Sequence, residues 1–147
     1  MNSSSLQVIE STSTLVDSCV LLDILLEDPQ WEKWSIAALA EAADTGRLVI
    51  NQLIYAEACG SFNRVEEVDA VLPQDVFIRE SLPFPAGFLA SQAFVDYRRR
   101  GGTRRSPMPD FYIGAHAAVN RYQLLTRDKG RFETYFPGVR LVTPENG

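Results

Sequence analysis

Four carboxylates stand at points of the chain where chemistry could be done. Asp17 ends the apolar run Leu15-Val16, and Glu57 lies within the helix-like segment 52–59. Asp110 opens a helix after Ser106-Pro107-Met108-Pro109, and Asp128 comes two residues after Leu124-Leu125-Thr126. Asp17 is the most telling, because a charge at the exit of a buried strand must find a cation or a metal or lose several kcal/mol. If the four converge, they offer the hard oxygen ligands that Mg²⁺ or Mn²⁺ prefers. Two unit charges ~4 Å apart repel by roughly 4 kcal/mol at an effective dielectric of ~20, so such a cluster calls for cations. Two ions about 4 Å apart can activate a water and stabilise the leaving oxygen of a phosphodiester. Rival chemistries are scarce: the chain has one histidine, His116, and no Gly-x-Ser-x-Gly or Gly-rich phosphate loop. Each acid alone is more often a helix cap than a ligand. It is their joint placement that points to a site.

The elements that must hold these acids can be read from the pattern. Leu15 to Asp17 reads as a strand end, and Ser18 to Leu26 as a helix stopped by Asp28-Pro29. Amphipathic spacing predicts a helix from Trp31 to Ala43, closed by Thr45-Gly46. Arg47 to Ile50 reads as a strand, with Asn51 the N-cap of a helix over Gln52 to Cys59. A helix over Phe62 to Leu72, a strand Val76 to Ile78, an irregular Leu82-Pro83-Phe84-Pro85 and a helix Ala86 to Arg99 follow. Prolines and an acid suit the first turn of the next helix, Phe111 to Tyr122. Gln123 to Thr126 is a buried-type strand, followed by a short helix near Arg131 to Tyr135 and a last strand, Val139 to Val142. Short strands alternating with helices predict an α/β domain with a mostly parallel sheet covered on both faces. Sites in such sheets form at the carboxyl ends of the strands, where the strand order switches.

Composition narrows the class. A chain of 147 residues with 46% hydrophobic and 22% charged residues fits one globular domain. Residues 1–13 read as a mobile leader and residues 14–147 as the domain. No apolar run approaches the ~20 residues that span a bilayer, and the first residues lack a secretory pattern. Cys19 and Cys59 read as buried free thiols, and a cytoplasmic location follows as an expectation. A net charge of −5 excludes bulk attraction to nucleic acid, yet Arg98, Arg99, Arg100, Arg104 and Arg105 crowd one short strip beside Gly101-Gly102. The ordinary reading of such a strip is a solvated loop.

The order of these stretches resembles PIN-domain nucleases, and more narrowly the VapC-type toxin ribonucleases of bacterial toxin–antitoxin pairs. The resemblance rests on Leu15-Val16-Asp17-Ser18-Cys19-Val20-Leu21-Leu22-Asp23, Ile54-Tyr55-Ala56-Glu57-Ala58, Pro109-Asp110-Phe111-Tyr112-Ile113-Gly114-Ala115-His116-Ala117 and Leu124-Leu125-Thr126-Arg127-Asp128-Lys129-Gly130-Arg131-Phe132, spread from about Thr14 to Pro144. It implies an α/β/α sandwich, a metal-dependent endoribonuclease, and Asp17, Glu57, Asp110 and Asp128 as catalytic, metal-binding acids. It also implies an RNA substrate, a cognate antitoxin whose peptide fills the acidic groove, and a homodimer. Thr126 and Ser18 are expected to orient Asp128 and Asp17 respectively, Ser18 being equally well a plain helix cap. Asp23 is expected to be a surface or rim charge, and His116 a neutral ring packed between helix and sheet. Trp31, Trp34, Phe94 and Tyr97 are expected in core or interface. In this setting the arginine strip gains weight as an RNA contact flanking the site. The alternatives are a PIN-like scaffold that binds RNA or protein without cutting, and a PIN nuclease of RNA processing.

Overall fold

The computed structural model describes residues 12–103 and 107–145. Arg104 and Arg105 of the basic strip, and all but the last two residues of the expected leader, lie outside the described residues. Five strands form one sheet: β1 (Thr14–Val16), β2 (Leu48–Ile50), β3 (Phe77–Arg79), β4 (Gln123–Leu125) and β5 (Leu141–Val142). Their order is β3-β2-β1-β4-β5, and every pairing is parallel. The helices are α1 (Ser18–Leu25), α2 (Glu32–Thr45), α3 (Gln52–Ala58), α4 (Val65–Val71), α5 (Phe84–Arg99), α6 (Met108–Asn120) and α7 (Lys129–Tyr135). Together they make the α/β/α sandwich expected from the sequence, its sheet wholly rather than mainly parallel.

The three central strands are buried along their whole length, as a sheet covered on both faces requires. The register sets Leu15 beside Val49 on one side and Leu124 on the other. The chain moves outward from β1 to β2 and β3, then returns through α5 and α6 to place β4 on the other side of β1. The strand order therefore switches between β1 and β4. Asp17 leaves the first of these strands and Thr126 the second, and the Asp17 amide donates to Leu125 O at 2.9 Å.

Element ends follow local chemistry. Asn51 caps α3, its side chain accepting from the Ile54 amide at 3.0 Å. α6 begins with Pro109 in its first turn and ends at Arg121 in the left-handed region (φ 58°). One expectation needs correction. Leu82 to Pro85 is not irregular throughout, because Phe84 already begins α5 with Pro85 in its first turn, where a missing amide hydrogen costs nothing. In mid-α6, Gly114 has no room for a side chain: a Cβ there would lie 2.4 Å from the Phe136 ring. That contact seats α6 against the end of α7. Trp34, Phe94 and Tyr97 pack on the core, and Phe111 is fully buried among Tyr97, Tyr135 and Phe136.

Candidate metal centre

The four acids arrive from four elements. Asp17 sits between β1 and α1, Glu57 on α3, Asp110 in the first turn of α6, and Asp128 at the N-cap of α7. Only Asp17 is deeply buried, at 6% exposure. Burial pushes its carboxyl up from an ordinary 3.8 to about 6; Asp110 and Glu57 push the same way, against hydrogen bonds from Thr126 and the Ser18 amide. Asp110 is also raised, first by burial, with Arg131 opposing and the charges of Asp128 and Glu57 adding to it. Asp110 is thus within electrostatic reach of the other three carboxylates, and Asp17 of Asp110 and Glu57. Glu57 and Asp110 line a cavity of about 370 Å³ together with Tyr97, Thr103, Pro107 and Arg131.

The supporting hydroxyls make contacts beyond those expected. Thr126 Oγ1 donates to Asp17 Oδ2 at 2.7 Å and accepts from the Asp128 amide at 3.0 Å, so one hydroxyl ties two of the acids together. Ser18 turns away from Asp17, donating from Oγ to Glu57 Oε1 at 2.7 Å, while its amide donates to Asp17 Oδ1 at 2.8 Å. The cap of α1 is thus Asp17 itself. Cys19 Sγ lies 3.6 Å from Asp17 Oδ2, and burial and that charge push its thiol up to about 12, which leaves it protonated. Both cysteines are free, and they are half-buried rather than buried.

Three charged residues belong to this neighbourhood: Asp23, which sequence reasoning misplaced, and Arg127 and Arg131, which it passed over. Asp23 is not a rim charge: it is 3% exposed, accepts from Ser35 Oγ at 2.7 Å, and takes both Nε (2.7 Å) and Nη2 (2.9 Å) of Arg127. The correction has a plain cause, since an acid inside an apolar helix run needs a buried partner, as was argued for Asp17. Arg131 Nη1 lies 2.9 Å from Asp110 Oδ2, while its amide faces Asp128 Oδ1 at 3.4 Å. Basic residues inside the fourth acidic stretch were the signal for both arginines.

The donor set suits a hard divalent cation in kind: carboxylate oxygens, among them those of Asp17, whose carboxyl is pushed up to about 6 first by burial and then by the charges of Asp110 and Glu57. Among the described residues no three His, Cys, Asp or Glu side chains stand close enough to hold one ion as placed. The guanidinium of Arg131 is the cation that Asp110 meets instead. Shared coordination by three or more of these acids thus requires their carboxylates to draw closer together. His116 lies away from this centre, fully buried between Asn51 and Glu80. Of the arginine strip, Arg98 and Arg99 close α5, Arg98 lying over Phe94 and Arg100 pairing with Asp96 at 3.1 Å. None of these three lines the cavity, but the chain leaving them does, through Thr103.

Residues 14–136 match the PIN domain family, and the chain belongs to it, a family of nucleases that use divalent metal ions. A comparison with curated protein sequences finds no significant match. Among solved structures, the fold is similar to VapBC2 from Rickettsia felis bound to a promoter DNA fragment, at 14% identity and a TM-score of 0.69 over 91% of this chain and 100% of that one. It is also similar to VapBC-1 from nontypeable Haemophilus influenzae (16%, TM-score 0.68, 90% and 98% covered). A toxin–antitoxin complex from Klebsiella pneumoniae is a third (20%, TM-score 0.64, 89% and 97% covered). No described helix is long and apolar enough to cross a membrane.

Proposed function

We propose that this protein is an endoribonuclease that uses Mg²⁺ or Mn²⁺, and that it is the toxin of a toxin–antitoxin pair. The observation that carries this reading is Asp17, buried beside the strand switch between β1 and β4 and raised to about 6 by burial and then by the charges of Asp110 and Glu57. Asp17, Glu57, Asp110 and Asp128 would hold the metal. A divalent ion bound there supplies an activated water and neutralises the charge that builds on the scissile phosphate. The remaining work falls to the chain itself. Thr126 fixes the direction of the Asp17 carboxylate, and Ser18 steers Glu57. Arg98, Arg99, Arg100, Arg104 and Arg105 supply phosphate contacts. Such contacts hold RNA in register without reading its sequence.

The toxin assignment draws on the solved complexes named above. A basic side chain of an antitoxin peptide suits the groove for a reason visible in the chain, because Arg131 already places a guanidinium against Asp110. A homodimer belongs to the same proposal: α5 leaves Phe84 (97%), Phe88 (68%) and Val95 (43%) exposed.

The test is cleavage of structured RNA with Mn²⁺, with EDTA, and by Asp17→Asn, beside the melting temperature of the wild-type chain. Cleavage is expected with Mn²⁺ alone, with a loss of about 10²-fold or more in the variant. Mn²⁺ at about 100 times its dissociation constant should add about 2.7 kcal/mol of stability. Cleavage that persists in EDTA overturns the metal mechanism; no cleavage under any condition returns the chain to a binding scaffold.

A further inference from the structure

We propose that Asp23 and Arg127 form a positioning clamp that sets Thr126 and Asp128 against Asp17 before any ion or substrate arrives. The inference rests on the metal-dependent reading above and concerns two residues outside the four acids. Arg127 lies between Thr126, whose hydroxyl binds both Asp17 and the Asp128 amide, and Asp128, which caps α7. Its guanidinium grips Asp23 through two nitrogens at 2.7 and 2.9 Å. Its amide donates to Cys19 Sγ at 3.5 Å, and its planar head lies 5.1 Å from the Trp31 ring centre. Cys19 and Asp23 are one helical turn apart on α1, so a single face of that helix carries the turn after β4. Ser35 from α2 donates to Asp23 from the other side, which ties down the acid as well as the base.

This is more than an ion pair that happens to be buried. A fork gripping a carboxylate with two parallel bonds fixes direction as well as distance, which a point charge does not. Metal ligands tolerate small errors poorly, and partners beyond the ligands commonly set their geometry. The clamp links the last turn of α1, the helix that Asp17 caps, to the turn that leads into α7, which Asp128 caps. The two helices contribute acids from opposite sides of the strand switch.

The experiment compares wild type, Arg127→Lys, Asp23→Asn and the double variant, by Mn²⁺ titration calorimetry, melting temperature and RNA cleavage kinetics. Arg127→Lys keeps the positive charge and is the variant that carries the test should Asp23→Asn fail to fold. Mn²⁺ affinity is expected to fall roughly tenfold in each single variant and no further in the double, since both remove one device. The turnover rate should fall with it while KM for RNA stays within about twofold, because no residue of the clamp touches substrate. Arg127→Lys that melts earlier but binds Mn²⁺ within about twofold of wild type overturns the clamp and leaves the metal reading standing. A wild-type chain that takes up no Mn²⁺ overturns the metal reading and the clamp with it.

Discussion

Helix α6 serves two carboxylate sites of opposite temper. In its first turn, Asp110 belongs to the acidic group at the strand switch, where burial and neighbouring charges raise both Asp17 and Asp110. One and a half to three turns on, His116 and Asn120 reach Glu80. That carboxylate receives His116 Nε2 at 2.8 Å, Asn120 Nδ2 at 2.6 Å and the Tyr122 hydroxyl at 2.7 Å. Burial works against the Glu80 charge, but these three bonds outweigh it and hold its carboxyl below the usual range. The proton of the histidine can be placed. Asn51 Oδ1 is taken by the Ile54 amide, so Asn51 Nδ2 donates to His116 Nδ1, and Nε2 carries the hydrogen given to Glu80. The neutral packed ring expected from the sequence is what this bonding describes. One site has every donor matched to an acceptor; the other has more negative charge than partners. The first holds the fold; in the proposed reading the second takes a cation.

The sharpest way to break the contrast is Glu80→Ala. It leaves a buried imidazole N–H, an amide and a phenol without their acceptor, and should cost about 2–3 kcal/mol in denaturant unfolding, with Mn²⁺ uptake retained. A smaller effect of opposite sign is expected at Asp17. Its carboxyl titrates near 6 in the fold against an ordinary 3.8, so the folded chain binds the extra proton. In EDTA the stability from this group is therefore fully present below about pH 4 and lost as pH rises through about 6. Asp17→Asn should raise metal-free stability at pH 7.5 by about 2 kcal/mol and have little effect at pH 4; a destabilised variant at pH 7.5 would remove the claim of unpaired charge. Least of all should come from Arg100→Gln, which removes an exposed pair with Asp96 and should shift stability by under about 0.5 kcal/mol. In the proposed reading the same change weakens RNA binding and flattens its salt dependence.

The fold was largely legible because each strand is a short apolar run and each helix has an amphipathic or capped start. Asn51 was read correctly as a cap from residue type alone. Boundaries slipped where tertiary contact decides, as at Phe84, where helix α5 begins earlier than its Pro-rich entry suggested. The four acids could be nominated because Asp17, Asp110 and Asp128 follow a strand or open a helix, and Glu57 lies on the helix after β2. Their partners could not, since hydrogen-bond direction depends on packing that no local pattern encodes. Ser18 beside Asp17 in sequence serves Glu57 in space, and Thr126, two residues from Asp128, serves Asp17. Asp23 was misjudged because period alone does not say which face of a short helix is covered. Covered it is, by the turn that follows β4.

Gly114 carries a consequence for anyone wishing to switch this protein on and off. The Phe136 ring occupies the place of its side chain, four residues beyond Asp110 and at the foot of the helix that Asp128 caps. Alanine there would wedge apart the two helices without altering any charged group. Such a chain is a natural heat-sensitive allele: competent in the cold, where the strained contact is tolerated, and silenced on warming as the seam between α6 and α7 opens.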